Sequence, residues 1–138
     1  MMPEHANMLG TVHGGEIMKL VDEAAAICAM RHAQRTCVTL GVDSMTFRSA
    51  VHVGQVVQLD ARVNFVGRTS MEIGVHVMAE DPIRGVVTHT NSAYLVFVAV
   101  AEDGTPVAVP PLVLETEDDR KRFEQAAERQ RIRKQRSE

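Results

Sequence analysis

A chain of 138 residues and 15.2 kDa is one domain long, and 45% hydrophobic residues are enough to build a single core. The net charge of −3 speaks against nucleic acid as the partner of the whole surface. No stretch reaches the ~18 apolar residues of a membrane span, and Met1-Met2-Pro3-Glu4-His5 lacks a signal peptide's basic start and apolar core. A cytoplasmic protein with neither nucleic-acid nor membrane partners is expected.

Residues 1–6 are short and polar. The loop from Asn7 carries Gly10, Gly14 and Gly15, and from Glu16 to Ala33 there is no Gly or Pro. Ile17, Leu20, Val21, Ala24, Ala25, Ile27, Cys28 and Met30 recur at helical spacing and spill beyond one stripe. That pattern predicts a mostly buried helix about 27 Å long. Asp22 stands among these apolar residues, a costly place for a carboxylate unless the protein needs it there. The glycines allow a ligand close to the backbone, and the free N–H groups and dipole of the first turn favour negative charge. Oxyanion donors with a carboxylate two turns on point to acyl transfer or hydrolysis, Asp22 handling the water.

Cys37 to Phe47 alternates as a strand, with loss of phase at Ser44 predicting a bulge. Arg48 to Gly54 is a connection. Val57, Leu59, Ala61, Val63 and Phe65 alternate with Gln58, Asp60, Arg62 and Asn64, one face buried and one wet. Gly67-Arg68-Thr69 is a turn, and Met71, Ile73, Val75 and Val77 alternating with Glu72, Gly74 and His76 form its hairpin partner. Asp81 to Gly85 turns the chain again. Val86 to Ala101 follows, apolar on both faces from Ala93 and so a central strand, ended by Glu102 to Pro106. Pro110 and Pro111 mark the domain's edge, and the segment from Glu115 to Glu138 is helical in composition and densely charged, with bases gathered in its last ten residues. The expectation is an α+β domain over 1–114, a long antiparallel sheet wrapped around one helix, with a solvated charged helix over 115–138. With four Phe, one Tyr and no Trp, Val, Ala, Met and Leu must fill the core. Cys28 and Cys37 read as buried thiols, and His52, His76 and His89 lack metal-ligand spacing.

The run G-T-V-H-G-G-E-I-M-K-L-V-D-E-A resembles the hotdog-fold acyl-CoA thioesterases, most closely the group of bacterial YciA-type enzymes and the mammalian brain acyl-CoA hydrolase. The likeness extends to Arg31–Ala33, Val42–Phe47, Val66–Met71 and Tyr94–Val100. It implies a sheet around a central helix, dimers and often hexamers built as trimers of dimers, and hydrolysis of acyl-CoA with no metal and no cofactor, CoA being part of the substrate. It implies Asp22 as the catalytic carboxylate, activating water or attacking the thioester itself, and the acyl carbonyl held at Gly14 and Gly15 of the partner subunit, with His13, Thr11 and Asn7 rimming that loop. It places Arg68, Thr69 and Ser70 near the CoA phosphates or pantetheine arm, with Ser44 and Arg48 as weaker candidates. Spacing agrees with a dimer. Gly15 and Asp22 stand two turns, or about 10 Å, apart along the helix, whereas a water between base and carbonyl spans about 6 Å. Two helices antiparallel across a two-fold would bring one chain's Asp22 toward the other's Gly15. Two other readings stay open: a hydratase or dehydratase of the same fold, which would want a matched His near Asp22, and a non-catalytic CoA-binding module.

Overall fold

The computed structural model describes residues 1–137. After a single 3₁₀ turn at Pro3–His5, the elements are α1 (Gly14–Ala33), β1 (Cys37–Phe47), β2 (Val56–Val66), β3 (Ser70–Asp81), β4 (Val86–Ala99) and α2 (Glu117–Ser137). The strands form one antiparallel sheet in the order β1-β4-β3-β2. The expected strands and both helices are present. The predicted bulge falls between Val42 and Ser44, and a second shift between Thr39 and Gly41 adds another irregularity to β1. β4 lies inside the sheet as its two apolar faces require, and β1 and β2 are the edges.

One face of the sheet packs on α1. The helix presents Ile17, Val21, Ala25, Ala29 and Ala33, one residue per turn at the i, i+4 spacing. Against them lie Met71, Ile73, Val75, Val77 and Ala79 of β3 and Ala93, Leu95, Phe97 and Ala99 of β4, all buried. Three successive alanines let the helix lie close to the sheet, and Phe97 is the only fully buried aromatic among the described residues. The helix is less enclosed than its composition suggested: Met18, Ile27 and Met30 are exposed. Gln34 closes it in the left-handed conformation (φ 59°), its N–H donating to Met30 O at 2.8 Å.

The other face departs from the alternation read in the sequence. Glu72 and Asn64 occupy the supposedly wet face, yet Glu72 is 0% exposed and Asn64 4%. The cause is α2, which lies across β2 instead of standing in solvent. Ala126 is buried and Phe123 meets Phe65 with ring centroids 4.9 Å apart. Arg129 clamps Glu72 through Nε–Oε1 at 2.8 Å and Nη2–Oε2 at 2.7 Å, and its guanidinium lies 3.8 Å from the centre of the Tyr94 ring. Arg133 adds a bond to Glu72 Oε1 at 3.1 Å and reaches Asp43 at 3.4 Å, while Asn64 Nδ2 donates to Glu72 Oε2 at 3.1 Å. Gly74 makes room for this group, since a Cβ there would stand 2.6 Å from Asn64 Nδ2.

Burial pushes the Glu72 carboxyl up, but the bonds from Arg129, Asn64 and Arg133 and the Arg129 charge outweigh it and hold the group below its ordinary value. A folded-state value lower than the unfolded one gives stability that is present above the ordinary 4.5 and lost as pH falls through the lowered value. Glu72→Ala leaves Arg129 against the sheet without its carboxylate, and should cost about 3–5 kcal/mol in urea unfolding. The parent should also lose stability below pH 4.5 more steeply than the variant. Equal acid slopes in the two proteins would contradict the assigned role.

Candidate active site

The loop before α1 is held by one side chain. Asn7 Oδ1 accepts the N–H groups of Leu9 at 2.9 Å and Thr11 at 3.2 Å, and Asn7 Nδ2 donates to Thr11 Oγ1 at 2.9 Å. Gly10 takes φ 80°, a conformation that favours glycine, and its N–H donates to Asn7 O at 3.1 Å. Bridges Ala6 to Val12 and Thr11 to His52 tie the loop to its surroundings. Asn7 and Thr11 thus shape the approach to the helix, and His13 is its exposed N-cap residue, its N–H bonded to His5 O at 2.9 Å.

Gly14 and Gly15 form the first helical turn, where N–H groups have no partner within the helix. Nothing inside the chain requires glycine at either place. A Cβ on Gly14 would touch the Phe47 ring at an ordinary 3.7 Å, one on Gly15 would meet nothing within 4 Å, and neither residue has positive φ. The bare backbone is therefore suited to something outside the chain. Gly14 lines a cleft of about 330 Å³ with Val12, Ile17, Phe47, Arg48, Val51 and Asn91.

Two turns along α1, Asp22 is half-buried on the side facing edge strand β1. Thr39 Oγ1 donates to Asp22 Oδ1 at 2.8 Å, the only side-chain hydrogen bond to this carboxylate among the described residues. Asp22 has no cation partner there, so lone pairs remain free to accept a proton. Thr39 was not singled out from the sequence, where it reads as one more alternating strand residue. No histidine among the described residues bonds to Asp22, as proton abstraction of the hydratase kind would want.

The other sequence candidates are distributed. Arg48 shares the cleft with Gly14, and Ser44 lies exposed beside Tyr94 in the β1–β4 pairing. Arg68, Thr69 and Ser70 lie at the opposite end of the sheet: Thr69 O accepts Ala99 N at 3.1 Å and Ser70 pairs with Val98, whereas Gly14 is beside Phe47 and Asn91. Within one chain they are not brought together with the glycine turn. Ser70 opens on a larger cleft of about 630 Å³ between β1 and α2, with Leu40, Asp43, Val96, Gln130 and Arg133. Both cysteines are free, and burial raises both thiols, opposed in part by Arg31 at Cys28 and Arg35 at Cys37, which disfavours the thiolate. No group of three potential metal ligands occurs among the described residues.

A glycine-opened helix laid on a four-stranded antiparallel sheet is the architecture of the hotdog-fold thioesterases. Residues 9–86 match the Thioesterase superfamily, and the chain belongs to it. It is 39% identical over 132 residues to protein VdlD of Helicobacter pylori, covering 96% of this chain and 75% of that one. The cytosolic acyl coenzyme A thioester hydrolase of Rattus norvegicus is 39% identical over 125 residues, covering 89% of this chain and 33% of that protein. Among solved structures, an apo-hexameric acyl-CoA thioesterase superposes with a TM-score of 0.95 at 39% identity, covering 99% and 88% of the two chains. An acyl-CoA hydrolase of Staphylococcus aureus, solved with butyryl coenzyme A, coenzyme A and coenzyme A disulfide, gives 0.91 at 33% identity, with 99% and 84% covered.

Glycine at position 15 serves no need of the fold, so Gly15→Ala should unfold at the same temperature or higher, as alanine is favoured over glycine in a helix by up to about 1 kcal/mol. Thioester turnover should nevertheless fall at least about tenfold if a carbonyl approaches that N–H. Unchanged turnover in the stable variant would remove Gly15 from the site.

Proposed function

We propose that this chain hydrolyses acyl-CoA thioesters to a free carboxylic acid and CoA, in the cytoplasm and without metal or cofactor. The observation that carries the reading is Asp22, held by Thr39, on the same helix whose glycine turn lines a cleft. Acyl-CoA hydrolysis by the Rattus norvegicus relative, and butyryl coenzyme A bound to the Staphylococcus aureus one, support the substrate class. The cytosolic relative supports the compartment, and no helix among the described residues is long and apolar enough to cross a membrane. Catalysis is assigned to residues 1–114, and the segment from 115 onward covers the sheet.

In the reaction Asp22 accepts a proton from water as the water oxygen attacks the thioester carbon. The charge that develops on the carbonyl oxygen is met by the Gly14–Gly15 turn, with His13, Thr11 and Asn7 bordering it. The tetrahedral species then collapses, the C–S bond breaks, and the CoA sulfur takes up the proton. Asp22→Asn keeps the size and the Thr39 contact but cannot accept the proton. Thiol release measured over a panel of acyl-CoAs should drop by on the order of 10²–10⁴, while acyl-CoA still binds. A variant keeping more than about a tenth of the activity would sink the assignment.

We infer further that the working unit is a homodimer, assembled in turn as a trimer of dimers, with each site shared between chains. Met18 and Met30, on the i, i+4 row of α1 that carries Asp22, and the unpaired edge of β1 beside them form an exposed border next to Asp22. Such a border suits a second copy, and the hexameric thioesterases similar to this chain support it. Antiparallel helices across that seam would set Asp22 against the partner subunit's Gly15. They would also turn the Arg68–Ser70 end of one sheet toward the partner's glycine turn, where these residues, with Ser44 and Arg48 as lesser contacts, would take CoA. A mixing experiment tests the sharing. Chains carrying Asp22→Asn and chains carrying Gly15→Trp, each inactive alone, should after refolding together regain about a quarter of parental activity, since half the dimers then hold one intact site. No recovery, with mixed dimers present by native mass spectrometry, would place both residues in one chain.

A further inference from the structure

The cleft at the glycine turn holds a polar group that the hydrolytic residues leave unused. Asn91 lies on β4 in register with Phe47 of β1 and Val77 of β3, and it has the same parity as Ala93, Leu95 and Phe97, which face α1. It is 1% exposed and lines the cleft with Gly14, Ile17 and Phe47. Neither its Nδ2 nor its Oδ1 has a hydrogen-bond partner. The other buried polar side chains differ. Thr90 Oγ1 donates to Val77 O at 3.2 Å, Glu72 is fully engaged, and Asn64 is bonded through Nδ2. Asn91 alone among the described residues is buried with both ends of its amide unpartnered.

An amide in an apolar pocket costs free energy on both its donor and its acceptor until a ligand supplies partners. Besides Gly14, Arg48 and Ser49, the rest of the lining is hydrocarbon, from Val12, Ile17, Phe47, Ala50 and Val51. We propose that Asn91 is a specificity residue of the acyl pocket and that the preferred acyl group is short and carries a hydroxyl. A hydroxyl can accept from Nδ2 and donate to Oδ1 at once, whereas a plain hydrocarbon chain leaves both unsatisfied. A site built to bond an oxygen rejects the analogue that lacks it more strongly than an apolar pocket rejects one methylene. This rests on the acyl-CoA reading above.

The test compares butyryl-CoA with hydroxybutyryl-CoAs bearing the hydroxyl at the α, β or terminal carbon. In the parent, kcat/KM for one of the three should exceed that for butyryl-CoA by on the order of ten- to a hundredfold. In Asn91→Leu, which removes both amide groups at similar volume, that ratio should fall to about one, and Asn91→Thr should restore part of it. Unfolding of the leucine variant should need at least as much urea as the parent, because an unpartnered buried amide is gone. Calorimetry of the same ligands on Asp22→Asn separates the two readings. A hydroxyl preference in binding, with no thiol release by the parent, keeps Asn91's role and overturns hydrolysis. Hydrolysis of all four within threefold of one another, or a ratio unchanged in Asn91→Leu, overturns the role of Asn91.

Discussion

A helix resting on a sheet can bury only one stripe of its surface, and here that stripe is narrow: Ile17, Val21, Ala25, Ala29 and Ala33, one residue per turn. The alanines allow close approach, and the sheet beneath answers with the fully buried row from Met71 to Ala79 and from Ala93 to Ala99. The placement of the candidate site follows from the angle this contact fixes. With Val21 locked inward, the next residue, Asp22, comes out on the side of β1, where Thr39 can reach it at 2.8 Å. With Ile17 locked inward, the turn before it opens onto the cleft beside Phe47 and Asn91. The geometry of the candidate site is therefore set by hydrophobic packing, and the polar contacts refine it.

The second face of the sheet follows a different logic. β3 and β4 are central strands, and their outward residues could not all be solvated once α2 settled on β2. Burying Glu72 there carries a desolvation penalty that only a dense set of bonds offsets, and Arg129 and Arg133, one helical turn apart, supply it together with Asn64. Apolar residues would cover the sheet as well. What the ion cluster adds is a single seating, since Arg129 can reach Glu72 and stack on Tyr94 only with α2 at one rotation and height.

Most of the fold was legible because its signals are periodic. Alternation located β1 to β4 and the helical spacing located α1, each to within a few residues. Glu72 misled because strict alternation treats every polar residue on a strand as wet. The signs that it was not were nonlocal: a glycine at position 74 that accommodates Asn64, and two arginines at i, i+4 far away in the chain. At the candidate site, Asp22 and the glycine pair stood out as a carboxylate among apolar residues and a break before a helix. Thr39 did not, since its importance lies in a contact across elements. Asn91 had a local signal that went unread: it continues the inward series of Ala93, Leu95 and Phe97 with a residue that does not belong in a core.

The exposed residues complete the account of what a single chain can do alone. Met18 and Met30 leave the Asp22 flank of α1 apolar, and β1 runs beside it with an unpaired edge. A monomer so built keeps Asp22 wet, with its carboxylate about two turns from the donors of its own helix. Water around a carboxylate weakens the electrostatic help that helix N–H groups can give at the same centre. Covering that flank with a second copy would dry Asp22 and bring a fresh helix terminus to it in one step. On the dimer reading, Met18 and Met30, which leave the lone chain unsatisfied, share a row of the helix with the carboxylate they would help to dry.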